Sequence, residues 1–196
     1  GSFAEFATAN IAKVSAKPQS IDHTHAGALP LAGLSALQGI DDHIKLQKGT
    51  TSVKTSAGKQ KILIHGGAGG IGSIAIQLAK ARGAYVATTV AARDVEYVRN
   101  LGADEVIDYE NEAYDEKIKD FDAVFDASGA EVADRSFAVV KKGGILISMT
   151  QEPDQELAKE KGIVAMRQST DGNLDRLKRL AELVASGKVK VPIDKV

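Results

Sequence analysis

From residue 61 onward, short apolar runs alternate with amphipathic stretches, the pattern of a parallel sheet whose two faces are both covered by helices. Runs of strand length stand at Lys61–His65, Tyr85–Val90, Glu105–Asp108, Ala123–Ala127, Ile145–Thr150 and Ile163–Arg167. Between them Ile71–Arg82 and Val95–Leu101 read as helices, the second closed by Gly102. Near the far end Leu174, Leu177, Leu180, Ala181 and Val184 recur at helical spacing, with Asp171 or Asn173 placed to cap the run and Gly187 to end it. The pattern predicts an α/β fold built on a doubly wound parallel sheet.

The first sixty residues follow no such rhythm. Phe3-Ala4-Glu5-Phe6 alternates like the remnant of a strand, and Ala26 to Ile40 reads as an apolar, small-residue helix interrupted by Pro30. Thr50–Lys59 is polar and without apolar periodicity, which predicts an exposed loop or an engineered join.

One stretch carries chemistry. Gly67-Ala68-Gly69-Gly70-Ile71-Gly72 stands between the first predicted strand and the first predicted helix, the strand, turn and helix order of a dinucleotide-binding unit. In that reading Gly67 permits the tight turn, Gly69 keeps a side chain away from a pyrophosphate, and Gly72 lets the helix pack closely on the strand. The free N–H groups and the positive dipole end of the helix then face the phosphates. Glycine-rich turns are common, so it is this context that identifies a Rossmann fold.

Composition narrows the partners. The 196 residues suit one domain, or one domain with a fragment of another. Twenty-five Lys and Arg against 26 Asp and Glu, without long like-charge blocks, give no electrostatic footprint for nucleic acid or an anionic membrane. Neither a membrane-length apolar run nor a basic-then-apolar leader is visible, and cysteine is absent, so the expectation is a soluble cytoplasmic protein.

The end of the second strand selects among cofactors. An acid there takes the adenosine ribose hydroxyl, whereas an arginine accommodates a 2′-phosphate. The residues that follow Val90 are Ala91, Ala92 and Arg93, a cation without the acid, which favours NADP(H) over NADH. Two other readings stay open: Asp94 pairs with Arg93 or replaces it as ribose ligand, or Arg93 is a solvated residue in the first turn of a helix.

Several ordered motifs together resemble a known family. They are Ala28–Ala36 (ALPLAGLSA), Ile64–Gly72 (IHGGAGGIG), Leu101–Tyr109 (LGADEVIDY), Phe125–Gly129 (FDASG) and Gly143–Leu146 (GGIL). The chain is similar to the zinc-free quinone oxidoreductase branch of the medium-chain dehydrogenases and reductases over nearly its whole length. The resemblance implies that Gly67 to Gly72 hold the pyrophosphate, that Arg93 takes the 2′-phosphate, and that Tyr109 lies near the adenosine phosphate. It sets Ala91 where many relatives have a serine. It also implies that Ser128, Gly129, Met149 and Thr150 border the nicotinamide half, and that Ser35 lies close to the cofactor.

The same resemblance predicts activity and architecture. It implies transfer of hydride from NADPH to a quinone or an α,β-unsaturated carbonyl, with the nicotinamide supplying the chemistry. Residues 1–40 are expected to be a remnant of a GroES-like domain and a linking helix, and residues 41–196 the dinucleotide-binding domain. A further stretch of about 100 residues, carrying the substrate-facing wall, is expected to be missing, and Val189–Val196 resembles a strand returning toward it. Relatives commonly dimerise, and Ile163–Met166 is the candidate edge for a homodimer.

Other chemistries fare less well. His23 and His25 read as surface-turn residues and His65 as a packed residue beside the glycine turn; without cysteine no thiolate zinc site can form, so no metal is expected. No Tyr is followed four positions later by Lys, which removes the short-chain dehydrogenase pair. Ala57-Gly58-Lys59 fails as a triphosphate loop, because Val53 stands where its first glycine must be. Two alternatives remain: a cofactor-binding or self-associating module without turnover, and a Rossmann-like domain for another adenosine ligand such as S-adenosylmethionine.

Overall fold

The structure, a computed structural model, describes residues 4–46, 59–129 and 132–193. Six strands, β1 (Lys61–His65), β2 (Tyr85–Val90), β3 (Glu105–Asp108), β4 (Phe121–Asp126), β5 (Val140–Ser148) and β6 (Val164–Arg167), form one sheet in the order β3-β2-β1-β4-β5-β6. All neighbouring pairs are parallel. Strand order therefore reverses between β1 and β4, the switch point at which open sheets of this kind take ligands.

Successive side chains on a strand face opposite ways, and each face of the sheet has its own apolar layer. Ile62, Ile64, Phe125 and Ile147 pack toward α1 (His23–Leu37), α2 (Gly70–Ala81), α3 (Val95–Asn100) and α7 (Leu174–Ala185). Leu63, Val124 and Leu146 pack the other way, with Tyr114 from α4 (Tyr114–Lys117), Phe137 beyond α5 (Val132–Ser136) and Ala158 from α6 (Gln155–Lys161). Burial on both faces explains why the middles of β1 and β4, Ile62-Leu63-Ile64 and Ala123-Val124-Phe125, read as continuous apolar runs rather than alternating ones.

The predicted strands β1, β2 and β3 and the predicted helix α7 match residue for residue. Elsewhere the limits shift. β4 begins at Phe121 and ends at Asp126, and β5 begins at Val140 and ends at Ser148. Val140 pairs with Phe121, but the next partners are Ala123 and Ile145, so Lys141 to Gly144 bulge out of register. That polar, glycine-containing bulge hides the start of β5 from a reading by apolar runs.

Asn173 caps α7 by accepting the Arg176 N–H at 2.9 Å, and Gly102 (φ +104°) and Gly187 (φ +71°) close their helices as expected.

The N-terminal region departs further from expectation. α1 starts at Asp22, whose carboxylate caps it by accepting the His25 N–H at 2.8 Å, and it runs unbroken through Pro30 to Leu37. Pro30 is exposed, so the helix bond and the packing it disturbs lie on the outer face, and α1 continues through it. Ala4–Phe6 form no strand, and Phe6 is exposed, because no neighbouring strand offers them a ladder. Phe3 and residues 50–58 of the predicted loop lie outside the described residues.

α1 is nonetheless part of the core. Leu34, Leu37 and Ile40 are buried in the same apolar layer as Ile64 and Phe125. A Cβ at Gly39, in the π-helical turn Gln38–His43 that continues α1, would stand 2.5 Å from the Phe125 ring, and one at Gly33 2.5 Å from a Leu180 methyl, so the continuous helical segment lies directly on both. Polar side chains lock it to the segment after β6. Gln38 donates to the Ser169 carbonyl and accepts from the Asp171 N–H, Gln168 donates to the Ser35 carbonyl, and Ser35 Oγ meets Thr170 Oγ1 at 2.7 Å. Around the rim Asp41 pairs with Arg82 and Arg179, and Asp42 with Arg176.

Candidate functional site

β1 ends in His65, and the chain turns at Gly66, which holds the positive φ of +72°. The strained position thus lies one residue before the Gly67 assigned to it from the motif. Gly67 is required for a different reason: a Cβ there would collide with Thr88 Oγ1 and stand 3.0 Å from Ile76 Cδ1. Thr88 cannot move aside, since its hydroxyl donates to the Ile64 carbonyl at 2.7 Å.

The turn closes with the Gly69 N–H on the Gly66 carbonyl, 3.0 Å, and the Ser73 N–H on the Gly69 carbonyl, 2.9 Å. Gly69 is exposed, and a Cβ on it would meet only the Gly66 carbonyl oxygen, at 3.3 Å. Gly72 is the opposite case. A Cβ there would overlap the Gly66 carbonyl oxygen and stand 2.8 Å from its carbon and 2.9 Å from Gly67 Cα, all backbone. The first N–H groups of α2, at Gly70, Ile71 and Gly72, have no preceding helical turn to bond, and the close approach at Gly72 and the free space above Gly69 shape the room in front of them. Such a cradle accepts a pyrophosphate.

Two hollows flank the turn. One, of about 510 Å³, is bordered by Ala68, Gly70, Arg93, Asp94 and Tyr97 together with Pro192 and Ile193. Arg93 follows the buried Ala91, its side chain is 80% exposed, and its Nε lies 3.7 Å from Asp94 Oδ2. The other, of about 530 Å³, lies toward β3 and β4 and includes Gly66, Gly69, Tyr109, Ser128 and Gly129. Arg93 and Tyr109 therefore stand in different hollows on either side of the glycine turn. Met149 and Ser35 border neither; Met149 packs on the core, and the Ser35 hydroxyl is bonded to the Leu31 carbonyl and to Thr170.

The floor of the second hollow is polar and enclosed. His65 is 1% exposed, with Nδ1 2.9 Å from Thr89 Oγ1 and Nε2 3.0 Å from Ser136 Oγ, and its ring meets Tyr114 edge-on at 4.5 Å. Ser136 donates to the Val132 carbonyl at 2.6 Å, so it accepts from Nε2, and Nδ1 is the acceptor for Thr89. Burial lowers the imidazole pKa to about 4; Asp126 opposes this shift and Arg135 adds to it. His65 is therefore a neutral, fully bonded residue, as the sequence suggests. Arg135 lies over the Tyr114 ring, 5.1 Å from its centroid, and pairs with Asp115, whose carboxyl it holds below the usual carboxylate range.

Four residues escaped the sequence reading as parts of the site: Gly66, Thr89, Arg135 and Asp126. Gly66 and Asp126 lie inside the quoted motifs, and a carboxylate directly after the apolar Ala123-Val124-Phe125 run was the signal available for Asp126. Thr89 and Arg135 carry no comparable mark, because sheet order brings the end of β2 to the cleft and the packing of α5 over Tyr114 brings Arg135.

The family profile described as zinc-binding dehydrogenase matches residues 70–170. That stretch contains neither histidine nor cysteine, and among the described residues no group of three metal-ligating side chains comes together. The chain is 37% identical, over 99% of its length and 45% of the relative's, to an Arabidopsis thaliana protein described as a chloroplastic NADPH-dependent alkenal/one oxidoreductase. It superposes on the quinone oxidoreductase of Coxiella burnetii with a TM-score of 0.77 and 33% identity, over 90% of this chain and 54% of that one. The Escherichia coli quinone oxidoreductase complexed with NADPH gives a TM-score of 0.78 at 25% identity, over 92% and 59%. The chain thus spans about half the length of the relatives it matches. Sheet order, glycine cradle and these likenesses agree: the chain belongs to the quinone oxidoreductase-like branch of the medium-chain dehydrogenases and reductases, of which it carries the coenzyme-binding part.

Proposed function

We infer that this chain is the coenzyme-binding portion of an NADPH-dependent oxidoreductase that reduces quinones or α,β-unsaturated carbonyl compounds. The observation that carries the reading is the Gly66–Gly72 cradle, where a Cβ at Gly72 has no room and one at Gly69 would fill the open space above the helix N-terminus. The names of the Arabidopsis and Escherichia coli relatives support NADPH as the coenzyme and alkenals or quinones as acceptors. When bound, the nicotinamide supplies the redox chemistry, and the chain's residues supply position and charge. Gly70 to Gly72 donate N–H groups to the pyrophosphate, Arg93 is the cation for the 2′-phosphate, and Ser128 and Gly129 line the hollow beside Gly66.

Calorimetric titration with NADPH and NADH tests this assignment. The expected result is tighter binding of NADPH. Arg93→Ala should weaken NADPH about tenfold, the worth of one exposed charge-assisted contact, and leave NADH within twofold. Equal loss for both coenzymes would remove Arg93 from its role, and absence of binding by the folded wild type would overturn the function.

The exposed Val164 on β6 supports a homodimer formed by pairing of that edge strand in two copies. Light scattering should then give twice the chain mass, and a monomeric mass would reject the interface. We also infer that the segment before α1 derives from a GroES-like domain. Among the described residues no helix is long and apolar enough to cross a membrane.

A further inference from the structure

Asp126 ends β4 with its side chain fully buried, and among the described residues no cation pairs with it. A carboxylate in such a place is tolerated only when hydrogen bonds replace its lost water. Here they come from two different loops. Oδ1 accepts the Ser128 N–H at 3.0 Å, the Ser128 hydroxyl at 2.9 Å and the Gly129 N–H at 3.3 Å. Oδ2 accepts the Ser148 hydroxyl at 3.0 Å. Ser148, having donated its only proton, accepts the N–H groups of Thr150 and Gln151, each at 3.3 Å. The Asp126 carbonyl takes the Met149 N–H at 2.9 Å.

This arrangement fixes how both loops face outward. In a planar trans peptide the C=O points opposite to the N–H. With the N–H groups of Ser128, Gly129, Thr150 and Gln151 turned inward, the carbonyls of Ala127, Ser128, Met149 and Thr150 point away from the carboxylate. One side of the cleft, the start of α2, thus presents donors suited to phosphate. Beside it, the loop after β4 borders the hollow with the Ala127 and Ser128 carbonyls, acceptors suited to the hydroxyl and amide donors of a dinucleotide, and the β5 loop backs it, with the Thr150 methyl 3.8 Å from where a Gly129 Cβ would stand. Ser128 and Gly129 border the same hollow as Gly66, against which Ser128 packs directly, and Thr150 and Gln151 follow β5, one strand farther from the adenosine side.

We propose that Asp126 is a positioning residue that sets the acceptor wall of the coenzyme cleft, holding the β4 loop directly and the β5 loop through Ser148. The proposal rests on the coenzyme-binding reading above. It predicts a division of labour: the Ser148 arm serves the nicotinamide half of the ligand and not the adenosine half.

The experiment compares NADPH with 2′,5′-ADP, which carries only the adenosine half, by calorimetry on the wild type, Ser148→Ala, Ser148→Thr and Asp126→Asn. Urea unfolding of each variant accompanies the titrations. Ser148→Ala should weaken NADPH five- to tenfold and leave 2′,5′-ADP within twofold, and Ser148→Thr should restore NADPH binding. Asp126→Asn keeps an oxygen for Ser128 and Gly129 but turns a donor toward Ser148, so it should resemble Ser148→Ala. If both ligands weaken together in step with lost stability, or if neither changes, Asp126 does not position the wall and the proposal falls. Failure of the wild type to bind either ligand would instead defeat the coenzyme reading itself.

Discussion

Replacement of Gly72 by alanine should abolish coenzyme binding, with NADPH affinity falling at least a hundredfold and urea unfolding showing a loss of about 2–3 kcal/mol. The added methyl would overlap the Gly66 carbonyl oxygen and press on Gly66 carbon and Gly67 Cα, all backbone atoms that no rotamer change can move. Relief requires α2 to slide away from the turn, which carries the N–H groups of Gly70 to Gly72 off the phosphates. Gly69→Ala is the control. Its methyl meets only one carbonyl oxygen at 3.3 Å, so stability should change little while the methyl occupies space above the cradle. A Gly72→Ala protein that binds NADPH normally would show that the close approach is not what builds the site.

The second large effect is on acid stability. His65 has its pKa lowered from 6.5 to about 4 by burial, so folding holds it neutral at pH values where the unfolded chain binds a proton. Stability is therefore complete above pH 6.5 and is lost as pH falls toward 4. The shift is worth on the order of 3 kcal/mol for a fully buried group. Denaturant unfolding at pH 7, 5.5 and 4.5 should show this decline in the wild type. In His65→Gln, which can still bond Thr89 and Ser136, the decline over the same interval should be shallower, whatever its stability at pH 7. Parallel curves for the two proteins would mean that protonation of His65 does not limit the acid range.

The sequence exposed most of the sheet because buried parallel strands are rich in apolar residues, as the Ile62-Leu63-Ile64 run of β1 and the Val86-Ala87 pair of β2 are, whereas the edge strand β3 buries only Ile107. It concealed the start of β5, where Lys141 to Gly144 bulge and only Val140 keeps the pairing. α1 was read as broken because a proline inside a helix ordinarily removes a bond and adds a clash. The structure carries the helix through because Pro30 sits on the exposed side.

At the site, the glycine motif was legible but its internal division was not. The positive φ belongs to Gly66, and Gly67 is demanded by Thr88, a residue of the neighbouring strand. Contacts between strands cannot be counted along a sequence. For the same reason Tyr109 and Arg93, both within reach of the turn by motif, lie in separate hollows, and Asp126 reaches Ser148 only through the β4–β5 register.

The lock between α1 and the segment after β6 bears on what counts as one folding unit. The helix is covalently upstream of the glycine motif, yet it covers Phe125 and Leu180, and its glutamine and serine are held by residues more than a hundred positions downstream. A shorter piece cut just before β1 would keep every residue of the coenzyme cradle but bare an oily flank of the sheet. The smallest autonomous version of this domain therefore begins upstream of Asp22, well ahead of the point where its recognisable signature starts.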